Sequence, residues 1–597
     1  MYDILLINPV KIRDSYALFP LGTLTLATIL NEKGFKVRII DFNYLWEKGI
    51  LEKDKSVDEL IEDMSLYIIG LNAKVIGFST NSSCHHTAIE LSRRVKEKSD
   101  SKVFFGGHQS SLTAKDTLGK FPWIDLISVG EGELNIALIV DALMNNKSLD
   151  NIDGIVYRRD KEIIRNKDVA LLEDLDSMPM LNYDLTNVDI EIDKNNNIAF
   201  PIEVGRSCPF SCTFCCTKTF WKQKFRMKST ERLIAEIEDI IERYGVYNFH
   251  FLHDLFTFKK DKVFEFCRMV KEKNLKIRWI CSIRIDTVNE ELIKAMSEAG
   301  CQKVFLGIET ASPNQQKRIR KNLNVDSIWE NVDIIKKYNI KVEAGFMYGF
   351  PHETKEDVNM TLNMMIKGAR KGVWFPEIGI LNVENGTELY DELKNDLYVA
   401  HNIDNIYLCD KEEFEYFFDM FNSNPEIFPH FYDFNNATRQ RYAYLDKFMW
   451  IVVSMIFLGF KTSLSFLVSI YKNDVLNIYD DVIKYCKDIF VDIFVENFAI
   501  AKGNEKDLVI KRTNLIKELI NNMPESISKD VVSEVFDLEK NIVFLRLYGS
   551  ENEEVNVKYE YDILKFKKYG MMDDKKGIYN INLVKVDSNR IKIQGAI

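Results

Sequence analysis

The chain has few cysteines, no excess of basic charge and no long apolar run. Its 597 residues include ten Cys, 79 Lys plus Arg and 90 Asp plus Glu, which gives a formal net charge of −11. Ten cysteines are too few for a disulfide-stapled secreted scaffold, so we expect a reducing, cytoplasmic location. The acidic balance provides no overall positive field for a phosphate backbone, so no nucleic-acid partner is expected.

Membrane and targeting signals are also lacking. The N-terminal MYDILLINPV has no basic start, long apolar centre or small-residue cleavage site of a secretory signal. The longest apolar stretch, residues 448–460, has about a dozen residues, whereas a bilayer core needs roughly 20. We predict a buried helix there and no membrane span, with an interfacial helix as the alternative. Because 46% of the residues are hydrophobic, wholesale disorder is excluded.

Residues 1 to about 150 alternate short β-branched runs with helical patterns. The predicted strands are 3–8, 36–41, 75–79, 102–105 and 124–129. This alternation is typical of a parallel sheet covered on both faces, here a Rossmann-like doubly wound domain. Ligands of such sheets bind outside the carboxyl ends of the strands. There the chain carries Asn8, Ser79, Asn81, Gly106, Gly107 and Glu131.

A linker is expected at 151–195, with a candidate hairpin at 154–158 and 162–165 and a break signal at 195–197. A second alternating series begins at Ala199, with predicted strands at 200–204, 248–252, 276–281, 303–308, 341–347 and 377–381. Six strand–helix units predict a partial (β/α)6 TIM-like barrel over residues 196–391.

Beyond about residue 392 the alternation stops. Helical stretches follow at 411–421, 438–460 and 475–499, and β-rich segments at 556–561, 578–586 and 590–593. We expect a mixed, mostly helical C-terminal domain over residues 392–597. The whole chain is therefore predicted to be an α/β protein of three domains.

The strongest chemical signal is a C-x3-C-x2-C triplet, Cys208, Cys212 and Cys215, just after a predicted strand. Three thiolates on one loop can hold three corners of a four-iron four-sulfur (4Fe–4S) cubane and leave the fourth iron open. A zinc knuckle is one alternative, but tetrahedral zinc needs a fourth ligand, and the adjacent Cys216 is geometrically awkward. Incidental thiols are the other alternative.

The triplet, with the aromatic Phe214 before its third cysteine, resembles the radical S-adenosylmethionine (SAM) superfamily. The resemblance implies that the three cysteines bind the cluster and that the open iron binds SAM. It also implies that reductive cleavage of SAM yields a 5′-deoxyadenosyl radical.

Further segments are similar to that family along about 190 residues. They imply SAM contacts from Phe214, Asp254, Ser282, Arg284, Glu309 and Gly349. Plainer interpretations remain open: Asp254 and Glu309 as ordinary strand-end carboxylates, Arg284 as a bridge between carboxylates, and Gly349 as a turn residue alone.

The N-terminal sheet resembles the cobalamin-binding domain that precedes many radical SAM enzymes. The resemblance implies cobalamin contacts from Asn8, Ser79, Asn81, Gly106, Gly107 and Glu131. Paired glycines let a nucleotide tail run against the backbone. The Asp-x-His-x-x-Gly motif that supplies a histidine to cobalt is absent, so no protein His is expected on cobalt. A cofactor-free scaffold is the alternative.

The two resemblances together imply a cobalamin-dependent radical SAM C-methyltransferase. One SAM would methylate cobalamin, and another would supply the radical that takes hydrogen from an unactivated carbon of a peptide or natural product. They further imply a C-terminal domain that closes over the substrate, and an electron donor such as flavodoxin or ferredoxin. The alternatives are non-methylating ring closure or rearrangement in the same family, and a non-catalytic iron–sulfur or cobalamin carrier.

Overall fold

The computed structural model describes residues 1–9, 20–52, 54–186, 199–400, 409–487, 505–522, 527–548, 554–559, 579–587 and 590–596. Its contacts divide the chain into two units. The first comprises Met1–Leu306, Gln316–Val342 and Asn382–Asn435, and the second comprises Gly307–Gln315, Glu343–Leu381 and Asn436–Ile597.

Seven strands open the first unit: β1 (Tyr2–Asn8), β2 (Val37–Asp41), β3 (Ala73–Ser79), β4 (Lys102–Gly106), β5 (Leu126–Ser128), β6 (Ile155–Arg159) and β7 (Glu162–Arg165). They form one sheet in the order β2-β1-β3-β4-β5-β6-β7, in which β1 to β5 run parallel. The predicted hairpin, β6 and β7, extends the sheet edge antiparallel. Residues 4–7 of β1 are all buried, as expected for a parallel sheet without a solvent face.

Helices connect these strands: α1 (Leu21–Glu32), α2 (Phe42–Glu47), α3 (Val57–Gly70), α4 (His85–Lys98), α5 (His108–Leu112), α6 (Ala114–Lys120) and α7 (Ile136–Met144). α3 begins at a capping box, because the Ser56 side chain accepts the Glu59 N–H and the Glu59 carboxylate accepts the Ser56 N–H. The alternation predicted for residues 1 to about 150 is confirmed.

The second series contains β8 (Phe200–Glu203), β9 (Gly205–Arg206), β10 (Arg226–Met227), β11 (Asn248–Leu252), β12 (Arg278–Ile283), β13 (Cys301–Glu309), β14 (Lys341–Tyr348) and β15 (Trp374–Ile380). In the first unit β8, β11, β12 and β13 are successive parallel neighbours. In the second unit β14 and β15 pair in parallel. All six strands predicted for the partial barrel are present. The short antiparallel pair of β9 and β10 was not predicted.

The helices of this series are α8 (Thr217–Phe220), α9 (Thr230–Tyr244), α10 (Lys260–Glu272), α11 (Glu290–Glu298), α12 (Pro313–Arg318), α13 (Ile328–Lys337), α14 (Lys355–Arg370) and α15 (Glu388–Leu393). α9 shows how the sequence sets their ends. Its N-cap Ser229 accepts the Arg232 N–H, and Gly245 ends it in the left-handed conformation.

The C-terminal part begins with β16 (Tyr398–Val399), which pairs with β17 (Tyr432–Asp433). Its helices are α16 (Lys411–Asn422), α17 (Ala437–Arg441), α18 (Leu445–Leu458), α19 (Lys461–Ile470), α20 (Val475–Tyr485), α21 (Glu505–Asn521) and α22 (Ile527–Tyr548). An antiparallel sheet of β18 (Glu554–Tyr559), β19 (Tyr579–Asp587) and β20 (Arg590–Ala596) follows. The predicted break at 195–197 lies outside the described residues, as does the part of the predicted helix 475–499 that follows residue 487.

The helix predicted at 438–460 is two helices instead, α17 and α18. The chain turns at Tyr442, whose carbonyl accepts the Leu445 N–H (3.0 Å) and also a hydrogen bond from the Tyr348 hydroxyl (3.1 Å). α18 contains most of the apolar stretch, and ten of its residues are buried, as predicted. None of the described helices combines the length and the apolar character needed to cross a bilayer.

α16 packs against the N-terminal sheet within the first unit. His86 Nε2 of α4 lies 2.9 Å from Glu413 Oε1 of α16, and both side chains are fully buried. The rings of Phe417 and Phe421 stand edge-on to His86 at 4.8 and 5.2 Å. The residues after the barrel series therefore return to the core of the N-terminal domain.

Candidate active site

The three cysteines of the triplet lie on a loop between β9 and β10, residues 207–225, called the cysteine loop below. Cys208, Cys212 and Cys215 are each partly exposed. The Cys215 N–H donates to the Cys212 carbonyl (3.2 Å), and the Thr213 N–H between them donates to the Ile319 carbonyl (3.1 Å). These bonds fix the middle of the loop.

Burial disfavours the thiolate form of Cys208, the first cysteine of the triplet. Burial, followed by negative charge at Asp254, Cys212 and Cys215, raises the pKa of the Cys208 thiol to about 11. Such thiols become thiolates together only beside positive charge, which a metal centre supplies. Among the described residues, no three His, Cys, Asp or Glu side chains converge tightly enough for a single metal ion. A cubane cluster binds each thiolate at a different iron, so it needs no such convergence.

The end of β11 supports the turn into the cysteine loop. Ser207 is buried with φ +76°, in the left-handed region that is strained for a residue with a side chain. Next to it, His253 is buried, and this burial lowers the pKa of His253 to about 4. Asp254 is an exposed residue. Desolvation of its carboxyl by the surrounding protein raises its pKa, although a hydrogen bond from the Ser207 backbone has the opposite effect.

Arg284 lies against the cysteine loop, just after β12. Its guanidinium is 4.0 Å from the centroid of the Phe210 ring. Arg284 Nε donates to Asp286 Oδ1 (2.8 Å), and Nη2 donates to the Lys321 carbonyl. Ser282, two residues earlier, is partly exposed. Arg284 thus pairs with one carboxylate and covers an aromatic ring of the loop.

The second unit carries Glu309 and Gly349, where β13 and β14 end. Glu309 has φ +69°, again strained for a residue with a side chain. Gly349 has φ +82°, and a Cβ there would stand 2.7 Å from Arg439 Cγ, so only glycine fits. The Gly349 N–H donates to Glu353 Oε2 (2.5 Å), and burial raises the pKa of Glu353 to about 8.

Several residues expected on cobalamin share one edge of the N-terminal sheet. Asn8, Ser79 and Gly106 end β1, β3 and β4, and Ser79 pairs in register with Gly106. Asn81 follows on the exposed surface, where its Oδ1 accepts the Ser83 N–H (3.0 Å). The sequence therefore identified a set of small and polar residues that the fold brings together.

The paired glycines at this edge differ in what surrounds them. Gly107 has φ +89°, and a Cβ there would lie 2.7 Å from the Thr80 carbonyl oxygen, so the protein itself requires glycine. A Cβ at Gly106 would meet only Ser128 Cβ, at 3.8 Å. The protein therefore leaves space for a side chain at Gly106 but not at Gly107.

Glu131 lies among arginines. It is 3% exposed and pairs with Arg206 and Arg226 at 3.1 and 2.7 Å. The Glu131 carboxylate therefore pairs with two arginines, whereas the family resemblance implied a contact with cobalamin.

Two residues near the cysteine loop were missed by sequence reasoning. Burial raises the pKa of Glu384, which follows β15, to about 7, although a hydrogen bond from Ser82 has the opposite effect. The pKa of the nearby Cys216 thiol is raised mainly by burial, and the negative charge of Glu384 adds to this effect. His108, directly after Gly107, packs on the Phe220 ring with centroids 4.8 Å apart. Neither residue belongs to a short motif, because the contacts that place them join distant segments.

Comparison with known proteins identifies the family. The model of the Radical SAM superfamily matches residues 202–365, and that of the B12 binding domain matches residues 9–140. An uncharacterized methyltransferase of Pyrococcus horikoshii is 30% identical over 387 residues, which cover 64% of this chain and 80% of the relative. The chain belongs to the radical SAM enzymes with a B12-binding domain.

A second relative and two solved structures are also similar to the chain. The anaerobic magnesium-protoporphyrin IX monomethyl ester cyclase of Synechocystis is 26% identical over 350 residues, 58% of this chain and 68% of the cyclase. The solved structure of OxsB with aqua-cobalamin and SAM shares the fold with a TM-score of 0.56 at 17% identity, covering 90% of this chain and 83% of OxsB. TsrM from Kitasatospora setae gives 0.57 at 15% identity, covering 75% of this chain and 88% of TsrM.

The predicted α/β fold and the predicted family are confirmed. The chain is a cobalamin-dependent radical SAM enzyme of the methyltransferase-like class, and its cofactors are a 4Fe–4S cluster, SAM and cobalamin. Its residues fit these groups. Three partly exposed thiols on one loop suit a cluster, and the open space at Gly106 suits a nucleotide tail.

Proposed function

We propose that this enzyme transfers a methyl group from SAM to an unactivated carbon of a peptide or natural product. The observation that supports this most directly is the contact between the cobalamin-type domain and the cysteine loop within the first unit. His108 at the sheet edge packs on Phe220 of α8 (4.8 Å). Gln109 Nε2 donates to Asn385 Oδ1 (2.8 Å), in the segment after β15. A substrate bound beside these residues would lie close to both cofactors.

The cofactors, when bound, supply the methyl and radical chemistry. Overall, one C–S bond breaks in each of two SAM molecules, one substrate C–H bond breaks, and one C–C bond forms. The products are the methylated substrate, S-adenosylhomocysteine, methionine and 5′-deoxyadenosine, which carries the substrate hydrogen. Two electrons enter, and we assign them to a flavodoxin or ferredoxin in the reducing cytoplasm.

The task of the chain is to hold the reacting atoms in line and to exclude water. We assign SAM contacts to Phe214, Asp254, Ser282, Arg284, Glu309 and Gly349, and cobalamin contacts to Asn8, Ser79, Asn81, Gly106 and Gly107. Cys208, Cys212 and Cys215 would hold the cluster.

A second function has support from relatives that are named cyclases. The Synechocystis protein, 26% identical to this chain, is named a cyclase. Non-methylating ring closure would use the same cofactors, with cobalamin in a role other than methyl transfer.

Anaerobic reconstitution with iron, sulfide, cobalamin, SAM and a reductant tests the proposal. A methyltransferase forms S-adenosylhomocysteine together with 5′-deoxyadenosine, and the candidate substrates are the peptides or metabolites made by neighbouring genes. 5′-Deoxyadenosine without S-adenosylhomocysteine would favour the cyclase-type reaction. Formation of neither product would identify a carrier and overturn the proposal.

A further inference from the structure

The cysteine loop is closed at its base by two arginines. Arg206 ends β9 and Arg226 begins β10, and the two residues are register partners in the antiparallel pair. Both side chains are 5% exposed. Contacts that hold these two arginines therefore also hold the two ends of the cysteine loop.

One carboxylate from the N-terminal domain meets both arginines. Glu131 Oε1 lies 3.1 Å from Arg206 Nη1 and 2.7 Å from Arg226 Nη2. Glu131 Oε2 accepts Arg226 Nη1 (3.0 Å) and the Leu172 N–H (2.6 Å). Glu131 is therefore hydrogen-bonded to Arg226 and forms an ion pair with Arg206. A buried carboxylate with these two partners is held more firmly than one in an exposed ion pair.

Other groups complete the cluster around the two arginines. Arg206 also donates to Glu133 Oε1 (2.6 Å) and to Glu203 Oε1 (2.8 Å). The ring of Trp221, inside the cysteine loop, lies 5.4 Å from the Arg206 guanidinium and 5.7 Å from that of Arg226. Of the three carboxylates named here, Glu131 is the one that contacts both arginines.

Glu131 is itself tied to the edge where cobalamin binds. The preceding Gly130 N–H donates to Ser111 Oγ (3.0 Å), and Ser111 Oγ donates to the Gly107 carbonyl (2.7 Å). A short chain of bonds thus runs from the sheet edge to Glu131 and on to the base of the cysteine loop.

We propose that Glu131 is a positioning residue that holds both ends of the cysteine loop on the B12-binding domain and so sets the position of the cluster relative to cobalamin. This proposal rests on the assignment of the two cofactors and not on methyl transfer. It gives Glu131 a role through Arg206 and Arg226 instead of direct contact with cobalamin.

The test compares Glu131→Gln with Glu173→Gln. Gln keeps the shape of Glu131 but removes the charge that pairs both arginines. Glu173 provides the matched control, because it pairs with Lys224 of the same loop (2.7 Å) while both side chains are more than half exposed. Exposed pairs of this kind contribute little.

The decisive readout is the magnetic interaction between the reduced cluster and cob(II)alamin, measured by pulsed electron paramagnetic resonance on dithionite-reduced holoenzyme. Wild type and Glu173→Gln should give one narrow distribution of distances. Glu131→Gln should keep its iron and cobalamin content but give a shifted or clearly broadened distribution. Amides at 205–227 should also exchange with deuterium about tenfold faster in Glu131→Gln.

An unchanged distance distribution in Glu131→Gln overturns the proposal, even if hydrogen exchange is faster. If Glu131→Gln does not fold, Arg226→Gln is measured instead. This variant frees one end of the loop, because Glu131 keeps only its pair with Arg206. A distance distribution like that of wild type would again overturn the proposal. Absence of either cofactor signal in wild type would contradict the cofactor assignment, which separates that failure from failure of the Glu131 role.

Discussion

At the scale of single residues, Glu309 combines a charged side chain with a backbone conformation that favours glycine, φ +69°. Strained backbone of this kind is found disproportionately at ligand sites. We expect Glu309→Ala to weaken SAM binding about tenfold, the loss of one hydrogen bond to a charged group worth ~1.5 kcal/mol. Binding measured on the reconstituted protein, with Glu356→Ala as a surface control, checks this. A variant that binds SAM as tightly as wild type would remove Glu309 from the SAM site.

Glu353 provides a test by pH. Its pKa of about 8 lies above the ordinary value of 4.5, mainly because it is buried. Between these values the folded protein keeps a proton that the unfolded chain has lost, so the free energy of unfolding falls as the pH rises from about 5 to about 8. The slope from this one group is at most about 1.4 kcal/mol per pH unit.

Glu353→Gln is neutral in both states and should lose this dependence. Urea unfolding midpoints of the two proteins at several values between about pH 5 and pH 8 measure the difference. Parallel curves for the variant and wild type would show that the Glu353 carboxyl is already ionised in the folded protein.

Sequence reasoning found the residues whose chemistry is local. The spacing of Cys208, Cys212 and Cys215 alone indicates a cluster, because three thiols on one loop have few other uses. It could not find that Arg284 would lie on Phe210, or that Glu384 would bond to Ser82. Those contacts depend on tertiary packing between segments far apart in the chain.

At the scale of elements, the cysteine loop is expected to bind one 4Fe–4S cluster through three thiols. Replacing Cys208, Cys212 and Cys215 by Ala should abolish the cluster absorbance at about 400 nm and all SAM cleavage. Cys216→Ala is the matched control, because Cys216 lies outside the triplet and directly precedes α8, and this variant should retain the iron. Iron and sulfide bound at wild-type levels in the triple variant would refute the cluster assignment.

The edge of the N-terminal sheet offers a second test, at Gly106. Gly106→Val adds a side chain where the protein leaves space, since only Ser128 Cβ lies within 4 Å of the new Cβ (3.8 Å). We expect a folded protein with full cluster content and several-fold lower cobalamin occupancy. Gly107→Leu is the contrasting variant, because it would strain the backbone and collide with Thr80, and so would lower stability as well. Normal cobalamin content in Gly106→Val would place the cofactor elsewhere.

Elements were predictable where the apolar pattern is regular. The parallel strands of both series have a clear signal, because each is a short β-branched run between helices. The pair of β9 and β10 has only two residues in each strand, too few for any periodicity. At the helix break, the Tyr442 carbonyl accepts a hydrogen bond from Tyr348, ninety-four residues earlier, and the local pattern does not contain this contact.

At the scale of the whole molecule, the domain boundaries predicted near residues 150, 195 and 391 remain predictions. The hairpin of β6 and β7 joins the first sheet. Residues after the barrel series return to it through α16, where Glu413 meets His86 in the core. Such returns cannot be predicted from one sequence, because nothing local to α16 identifies the face it covers.

We propose that the chain holds cobalamin at the edge of its N-terminal sheet, beside the cysteine loop and with no protein histidine on cobalt. The most direct measurement is the electron paramagnetic resonance spectrum of cob(II)alamin bound to protein labelled uniformly with 15N. A protein imidazole on cobalt would split each line into a doublet, whereas a 14N base of the cofactor would give a triplet. We predict retained cobalamin and no doublet. Loss of cobalamin on purification would contradict the account, as would a doublet that disappears in His108→Ala.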